Sequence, residues 1–192
     1  MKRLCVFCGS SRGNSPAFAE AARALGEAIA ARSVELVCGG SHVGLMGVVA
    51  DAALARGGNV IGVLPRFLAD KELAHPRLTK LHVVDTMHER KQLMADLSDG
   101  FIALPGGFGT FEEIFEAITW GQLHLHGHPC GLLNVGGYYD SLVEFLRGAT
   151  ASGFIRPAHF DSLIVAGTPE GLLARFEQFQ PKSESWVPSK VI

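Results

Sequence analysis

The segment Pro105-Gly106-Gly107-Phe108-Gly109-Thr110-Phe111-Glu112-Glu113 carries the densest chemistry in the chain. It follows a short apolar run, Phe101–Leu104, and leads into a helix-period stretch from Phe111 to about Leu123. Clustered glycine lets backbone N–H groups approach an anion, and the start of a helix adds about half a positive charge. The guest such a turn favours is a phosphate. Two roles are open to Glu113. In one, Thr110 is the N-cap and Glu113 reaches back to close a Thr-x-x-Glu capping box. In the other, Glu113 is a carboxylate in a poorly solvated cleft, sharing a helix face with Ala117 and Trp120 beside a core stripe of Phe111, Ile114, Phe115 and Ile118. Glycine at Gly106, Gly107 and Gly109 exceeds what a cap needs.

A second feature lies upstream. In Met87–Leu97 the residues Met87, Leu93, Met94 and Leu97 form one helical stripe at about 100° per residue, and Arg90 falls in the middle of it. A charge there is costly unless it is paired or faces a cleft. Arginine suits bidentate contact with a phosphate or carboxylate. The competing reading is an arginine that snorkels past core or makes a structural pair.

Other motifs fall short. Gly107-x-Gly109 continues to Glu112 where a dinucleotide fingerprint requires its third glycine. Gly39-Gly40-Ser41-His42-Val43-Gly44 lacks the Lys-Ser/Thr of a P-loop. Cys5-x-x-Cys8 sits on an expected strand rather than opening a helix, so Cys5, Cys8, Cys38 and Cys130 read as buried structural thiols. His124, His126 and His128 alternate after a helix, with no carboxylate nearby, which reads as a polar loop rather than a metal site.

The elements that must position these residues follow one pattern: an apolar run, a Gly-rich turn, a helical segment. Leu4–Cys8 precedes a helix from Pro16 to about Arg32, with Ser15 as N-cap. Val34–Cys38 precedes a helix near Leu45–Arg56, ended by Gly57-Gly58. Val60–Leu64 is a third strand, residues 66–80 an irregular excursion with one short helix at most, and Leu81–Val84 a fourth strand. After Phe101–Leu104, the apolar runs Gly131–Val135, Leu142–Leu146 and Leu163–Val165 repeat the pattern, and a last helix lies near Glu170–Phe179. Continuous apolar strands alternating with helices predict an α/β fold, a parallel sheet covered by helices on both faces. Ligands in such sheets bind past the carboxyl ends of the strands, where Gly9-Ser10, Gly39-Gly40 and Pro105–Thr110 lie. The expected organisation is one domain over residues 1–180 and a polar tail over 181–192.

Composition narrows the class. With 17 basic and 19 acidic residues in 192, the net charge is −2, and no basic footprint for nucleic acid exists. No apolar run reaches the ~18 residues of a membrane span. Met1-Lys2-Arg3 passes directly into an apolar strand rather than a signal peptide, so the expected compartment is the cytoplasm.

Arg90-Lys91 followed by Pro-Gly-Gly-x-Gly-Thr-x-x-Glu resembles the LONELY GUY (LOG) family of cytokinin riboside 5′-monophosphate phosphoribohydrolases, whose bacterial members also carry the label lysine decarboxylase. The resemblance runs from Cys8-Gly9-Ser10 through Gly39-Gly40, Gly44-Leu45-Met46-Gly47 and Met87 to Thr119-Trp120-Gly121. It implies a Rossmann-like, doubly wound sheet, a homodimer, and hydrolysis of the N-glycosidic bond of a nucleoside 5′-monophosphate, AMP included, to free base and ribose 5-phosphate. It implies Arg90 and Glu113 as the catalytic pair. By the same resemblance Gly106, Gly107, Gly109 and Thr110 hold the phosphate, while Glu72, Met87, Lys91 and Thr119 lie around the nucleotide. No cofactor and no metal are implied. Two other functions fit parts of the sequence. A non-catalytic nucleotide-binding or carrier module on the same fold would use the Gly-rich rim without needing Glu113. A lysine decarboxylase would need pyridoxal phosphate on a lysine, and only Lys91 lies near the expected site.

Overall fold

The computed structural model describes residues 1–71 and 73–181. Glu72 and, of the expected tail over 181–192, residues 182–192 lie outside the described residues. Seven strands form one sheet: β1 (Arg3–Phe7), β2 (Glu35–Cys38), β3 (Val60–Pro65), β4 (Lys80–Val84), β5 (Phe101–Ala103), β6 (Cys130–Leu133) and β7 (Ile164–Ala166). Their order is β4-β3-β2-β1-β5-β6-β7, and every pairing is parallel. The helices are α1 (Pro16–Ala31), α2 (Gly44–Ala55), α3 (Arg66–Ala69), α4 (Met87–Asp96), α5 (Phe108–Gln122), α6 (Asp140–Ala151), α7 (Pro157–Ser162) and α8 (Pro169–Glu177).

Two cores sandwich the sheet. Alternate side chains of β1 feed them: Leu4 and Val6 join a cluster with Leu25, Ile29 and Leu172, while Cys5 and Phe7 join Met94, Ile114 and Tyr139. α1, α2 and α8 therefore cover one face, and α4, α5 and α6 the other. Strand order reverses between β1 and β5, which opens a crevice past their carboxyl ends. The crevice is narrow at its base, because Gly9 N–H donates to the Pro105 carbonyl at 3.0 Å.

The expected parallel sheet and most expected elements are present, with two corrections. Leu142–Leu146 is not a strand: it lies inside α6. Leu142, Val143 and Leu146 point inward at i, i+1 and i+4, which is helical spacing. The helix after β5 begins at Phe108 rather than Phe111, with Gly107 as N-cap and no side-chain cap. Thr110 is thus inside the first turn, and the expected Thr110–Glu113 capping box does not form. A capping box does form at α4, where Thr86 Oγ1 accepts from Glu89 N–H at 3.1 Å and Glu89 Oε2 accepts from Thr86 N–H at 3.3 Å. Ser15 caps α1 as expected, accepting from Ala17 N–H at 3.3 Å.

Candidate active site

Freed from a capping role, Glu113 meets Arg90. Arg90 Nη1 donates to Glu113 Oε1 at 2.7 Å, and the two side chains are only 9% and 10% exposed. The arginine is fixed a second time by its Nε, which donates to the Val63 carbonyl of β3 at 3.1 Å. Gly39, just past β2, forms the surface on which the guanidinium rests. A Cβ at Gly39 would stand 2.1 Å from Arg90 Nη2. Burial pushes the Glu113 carboxyl above the ordinary 4.5, and the Arg90 charge opposes this without cancelling it. The result is an ionisable carboxylate held beside a fixed cation in a poorly solvated cleft, the arrangement that general acid–base groups require.

Lys91, the next residue, makes its ion pairs with other carboxylates of α5 rather than with Glu113. It pairs with Glu112, and with Glu116 at 3.0 Å, and its side chain is 11% exposed. Burial alone would lower its ammonium; the hydrogen bonds and charges of Glu112 and Glu116 more than reverse this and raise it. A Schiff-base lysine needs the opposite, a lowered pKa and a free amine. The residues present at Lys91 therefore do not fit pyridoxal phosphate.

The Pro105–Thr110 turn sits beside the pair, since Glu113 is three residues beyond Thr110 on α5. The glycines in it have different reasons. At Gly106 a Cβ would meet Thr110 Oγ1 at 2.1 Å and Gly9 N at 2.8 Å, so packing excludes any side chain. At Gly107 and Gly109 a Cβ would meet nothing within 4 Å. Neither has a positive φ. The protein itself does not require glycine at these two positions; bare backbone there leaves room for something else to approach. The first-turn N–H groups of α5 have no intrahelical acceptor, and Gly107 supplies no side chain to occupy them. Thr110 is 3% exposed.

Of the remaining expected site residues, Met87 is the first residue of α4 and is exposed. It lies three residues before Arg90 on the same helix. Thr119 is exposed on α5, and its hydroxyl donates to the Phe115 carbonyl at 2.7 Å. It lies six residues beyond Glu113, roughly 9 Å along the helix axis, and is not brought to the Arg90–Glu113 pair within this chain. Tyr138, Gly39 as the support of Arg90, and the Val63 carbonyl were not anticipated. Tyr138 lies past the end of β6, Gly39 just past β2, and Val63 within β3, and only the tertiary arrangement brings them to the crevice.

The histidines and cysteines take structural places. His126 Nε2 donates to the Ala117 carbonyl at 2.8 Å, and its ring stacks on His128 at 5.4 Å. Among the described residues no three His, Cys, Asp or Glu side chains converge as metal ligands. All four cysteines are buried and unpaired by disulfides. Burial pushes the thiols up, to about 11 for Cys38 and about 12 for Cys130, which makes them poor nucleophiles. Among the described residues no helix is long and apolar enough to cross a membrane.

A parallel sheet that reverses at β1/β5, with an acid–arginine pair and a Gly-rich helix start at the reversal, defines a Rossmann-like nucleotide-type fold with an enzyme-like site. Comparison with known proteins narrows this to a family. The family model described as "Possible lysine decarboxylase" matches residues 46–176. Cytokinin riboside 5′-monophosphate phosphoribohydrolase LOG1 of Arabidopsis thaliana is 44% identical, over 98% of this chain and 89% of that protein. LOG3 of the same plant, named for the same activity, is 45% identical over 95% of this chain and 85% of that protein. The chain belongs to the LOG family. Among solved structures, the molybdenum cofactor carrier protein from Chlamydomonas reinhardtii superposes with a TM-score of 0.70 at 22% identity, covering 92% of this chain and 96% of that one. At that identity the likeness is one of fold.

Proposed function

We propose that this protein hydrolyses the N-glycosidic bond of a purine riboside 5′-monophosphate, releasing the free base and ribose 5-phosphate. The observation that carries this reading is the buried Arg90–Glu113 pair beside an uncapped, glycine-lined helix start. The first turn of α5, with Gly106, Gly107, Gly109 and Thr110, binds the 5′-phosphate. That remote binding energy holds the ribose over the carboxylate. As the C1′–N bond breaks, its electron pair leaves with the base and positive charge builds at C1′. The Glu113 carboxylate stabilises that charge and orients a water, whose oxygen bonds to C1′ and whose proton passes to Glu113, while the departing base takes up a proton from solvent and Glu113 then returns its own to solvent. Arg90 keeps the carboxylate in place and positions the nucleotide. Met87 and Lys91 border the nucleotide, Lys91 through the orientation it imposes on Glu112 and Glu116. Glu72 belongs to the same reading by family resemblance.

The protein acts as a homodimer in the cytoplasm, with no cofactor and no metal. Ordinary burial accounts for Phe111, Phe115 and Ile118, which pack into the core, but Leu123 and Leu125 at the end of α5 are exposed and available to a second copy. Thr119, remote from the pair in its own chain, enters the site from that second copy. Sedimentation that returns a monomer at micromolar concentration would contradict this.

A carrier module needs the glycine-lined rim but has no use for a carboxylate buried against an arginine, so the enzyme reading is preferred. The deciding experiment is chromatography of the products from AMP and from N6-isopentenyl-AMP, side by side. Free base from either supports hydrolysis, and the ratio of rates identifies the preferred base. Nucleotide bound without base release overturns the proposal in favour of the carrier module.

A further inference from the structure

The carbonyls of four successive residues in the turn are each held by a donor. Leu104 O accepts from the Tyr139 hydroxyl at 2.7 Å, Pro105 O from Gly9 N–H at 3.0 Å, Gly106 O from the Tyr138 hydroxyl at 2.5 Å, and Gly107 O from Phe111 N–H at 3.1 Å. A trans peptide is planar, with its oxygen and the following N–H on opposite sides. Holding the Gly106 oxygen therefore fixes the direction of the Gly107 N–H. The flanking Pro105 and Gly107 carbonyls are held by backbone donors, so the Tyr138 bond is the side-chain restraint on the Gly106–Gly107 peptide itself, and Gly107 has no side chain whose contacts would add another.

The tyrosines that do this come from a distant strand end. After β6 the chain turns through Val135–Gly137, with Gly136 and Gly137 at φ of 58° and 77°. Asn134 braces the turn: its Oδ1 accepts from Tyr139 N–H at 2.7 Å. The Tyr138 ring meets Phe18 edge-on at 5.7 Å and Tyr139 at 4.9 Å, so its hydroxyl is oriented before it meets Gly106. Tyr139 is 1% exposed and belongs to the core, whereas Tyr138 is 39% exposed and contributes little to burial.

We propose that Tyr138 is a positioning residue for the substrate's 5′-phosphate. Its hydroxyl pins the Gly106–Gly107 peptide so that the Gly107 N–H and the free first-turn amides of α5 face the same anion. The inference rests on the phosphate reading of this turn. It assigns to Tyr138 no contact with the ribose, the base or the reacting carbon.

The test is Tyr138→Phe, which keeps the ring and its contacts and removes one oxygen. Titration calorimetry is run with ribose 5-phosphate and, separately, with adenosine, on wild type and variant. The expected result is a ribose 5-phosphate affinity weakened about 3- to 10-fold, the range of one lost hydrogen bond, with adenosine affinity within twofold. In AMP turnover the loss falls on KM rather than kcat. Equal weakening of both ligands would make Tyr138 merely structural and overturn the proposal. Unchanged affinity for ribose 5-phosphate in the variant would overturn it too, while leaving the phosphate reading intact. Wild type that fails to bind ribose 5-phosphate at all would bring down the phosphate reading, and this inference with it.

Discussion

Arg90 and Glu113 are 23 residues apart on different helices, yet the guanidinium and carboxylate meet at 2.7 Å in a space where each side chain is about one-tenth exposed. A buried ion pair of this kind is weak evidence for stability, because desolvation offsets most of the attraction. Its retention in a crevice at the sheet's switch point is better explained by chemistry. Glu113→Gln keeps the shape and an acceptor for Arg90 while removing the charge. The expected outcome is retained nucleotide affinity and turnover lowered about 100- to 10,000-fold, the usual range for a general base. Steady-state kinetics with AMP and a binding titration check both halves; turnover near wild type would remove Glu113 from the mechanism.

In the proposed mechanism the ionised form of Glu113 is the active one, and burial raises its carboxyl above 4.5. Activity therefore falls as pH drops through that raised value, so the acid limb of kcat/KM lies above 4.5. Arg90 works against the rise. Arg90→Gln removes that opposition, so the acid limb of the residual activity moves to higher pH. The same variant leaves a buried carboxylate without its counter-charge and costs about 3–5 kcal/mol of stability at neutral pH. A pH–rate profile from 4 to 8 on both proteins is the measurement. An unmoved limb would mean that another group titrates there.

Much of this was legible in the sequence for identifiable reasons. The parallel sheet showed in continuous apolar strands, and Arg90 stood out as a charge in an apolar stripe; it is 8% exposed, next to Met94 in the core. The start of α5 was misplaced because Thr110 and Glu113 have capping-box spacing. That local preference lost to a tertiary partner, for Glu113 bonds to Arg90 instead. Leu142–Leu146 misled because a short apolar run does not distinguish a strand from a helix. Gly39 was visible as part of a Gly-rich rim, but its use, a bare surface for a guanidinium from α4, depends on how β2 and α4 pack.

The glycines separate structure from function. Gly109 lies in the first turn of α5, and a Cβ there meets nothing. Gly109→Ala should leave the melting temperature unchanged or raise it, since alanine is favoured in helices by up to about 1 kcal/mol. It should nevertheless raise KM for the nucleotide about tenfold or more by obstructing the phosphate. Gly107→Ala should behave alike in KM. Gly39→Ala has a different signature: the new methyl displaces the Arg90 guanidinium, so kcat falls. Melting curves and kinetics on the three variants test this, and a KM unchanged in both Gly107→Ala and Gly109→Ala would argue against an anion at this turn.

His126 supplies a stability prediction away from the site. A carbonyl can only accept, so Nε2 carries the proton that bonds to Ala117 O at 2.8 Å. Nδ1 is then the unprotonated nitrogen and accepts from His128 N–H at 3.1 Å. The neutral ring thus ties α5 to the segment leading into β6. A second proton would set Nδ1–H against an N–H donor, with the His128 ring stacked alongside. Burial lowers the His126 pKa below 6.5; the Ala117 bond opposes the shift, and His128 adds to it. The folded state therefore favours the neutral form. Its contribution is complete above 6.5 and is lost as pH falls through the lowered folded-state value. His126→Gln, which donates and accepts without titrating, should melt somewhat lower than wild type at pH 8 and lose less between pH 7 and 5. Thermal melts across that range measure the difference, and parallel curves for the two proteins would show that His126 does not titrate on unfolding.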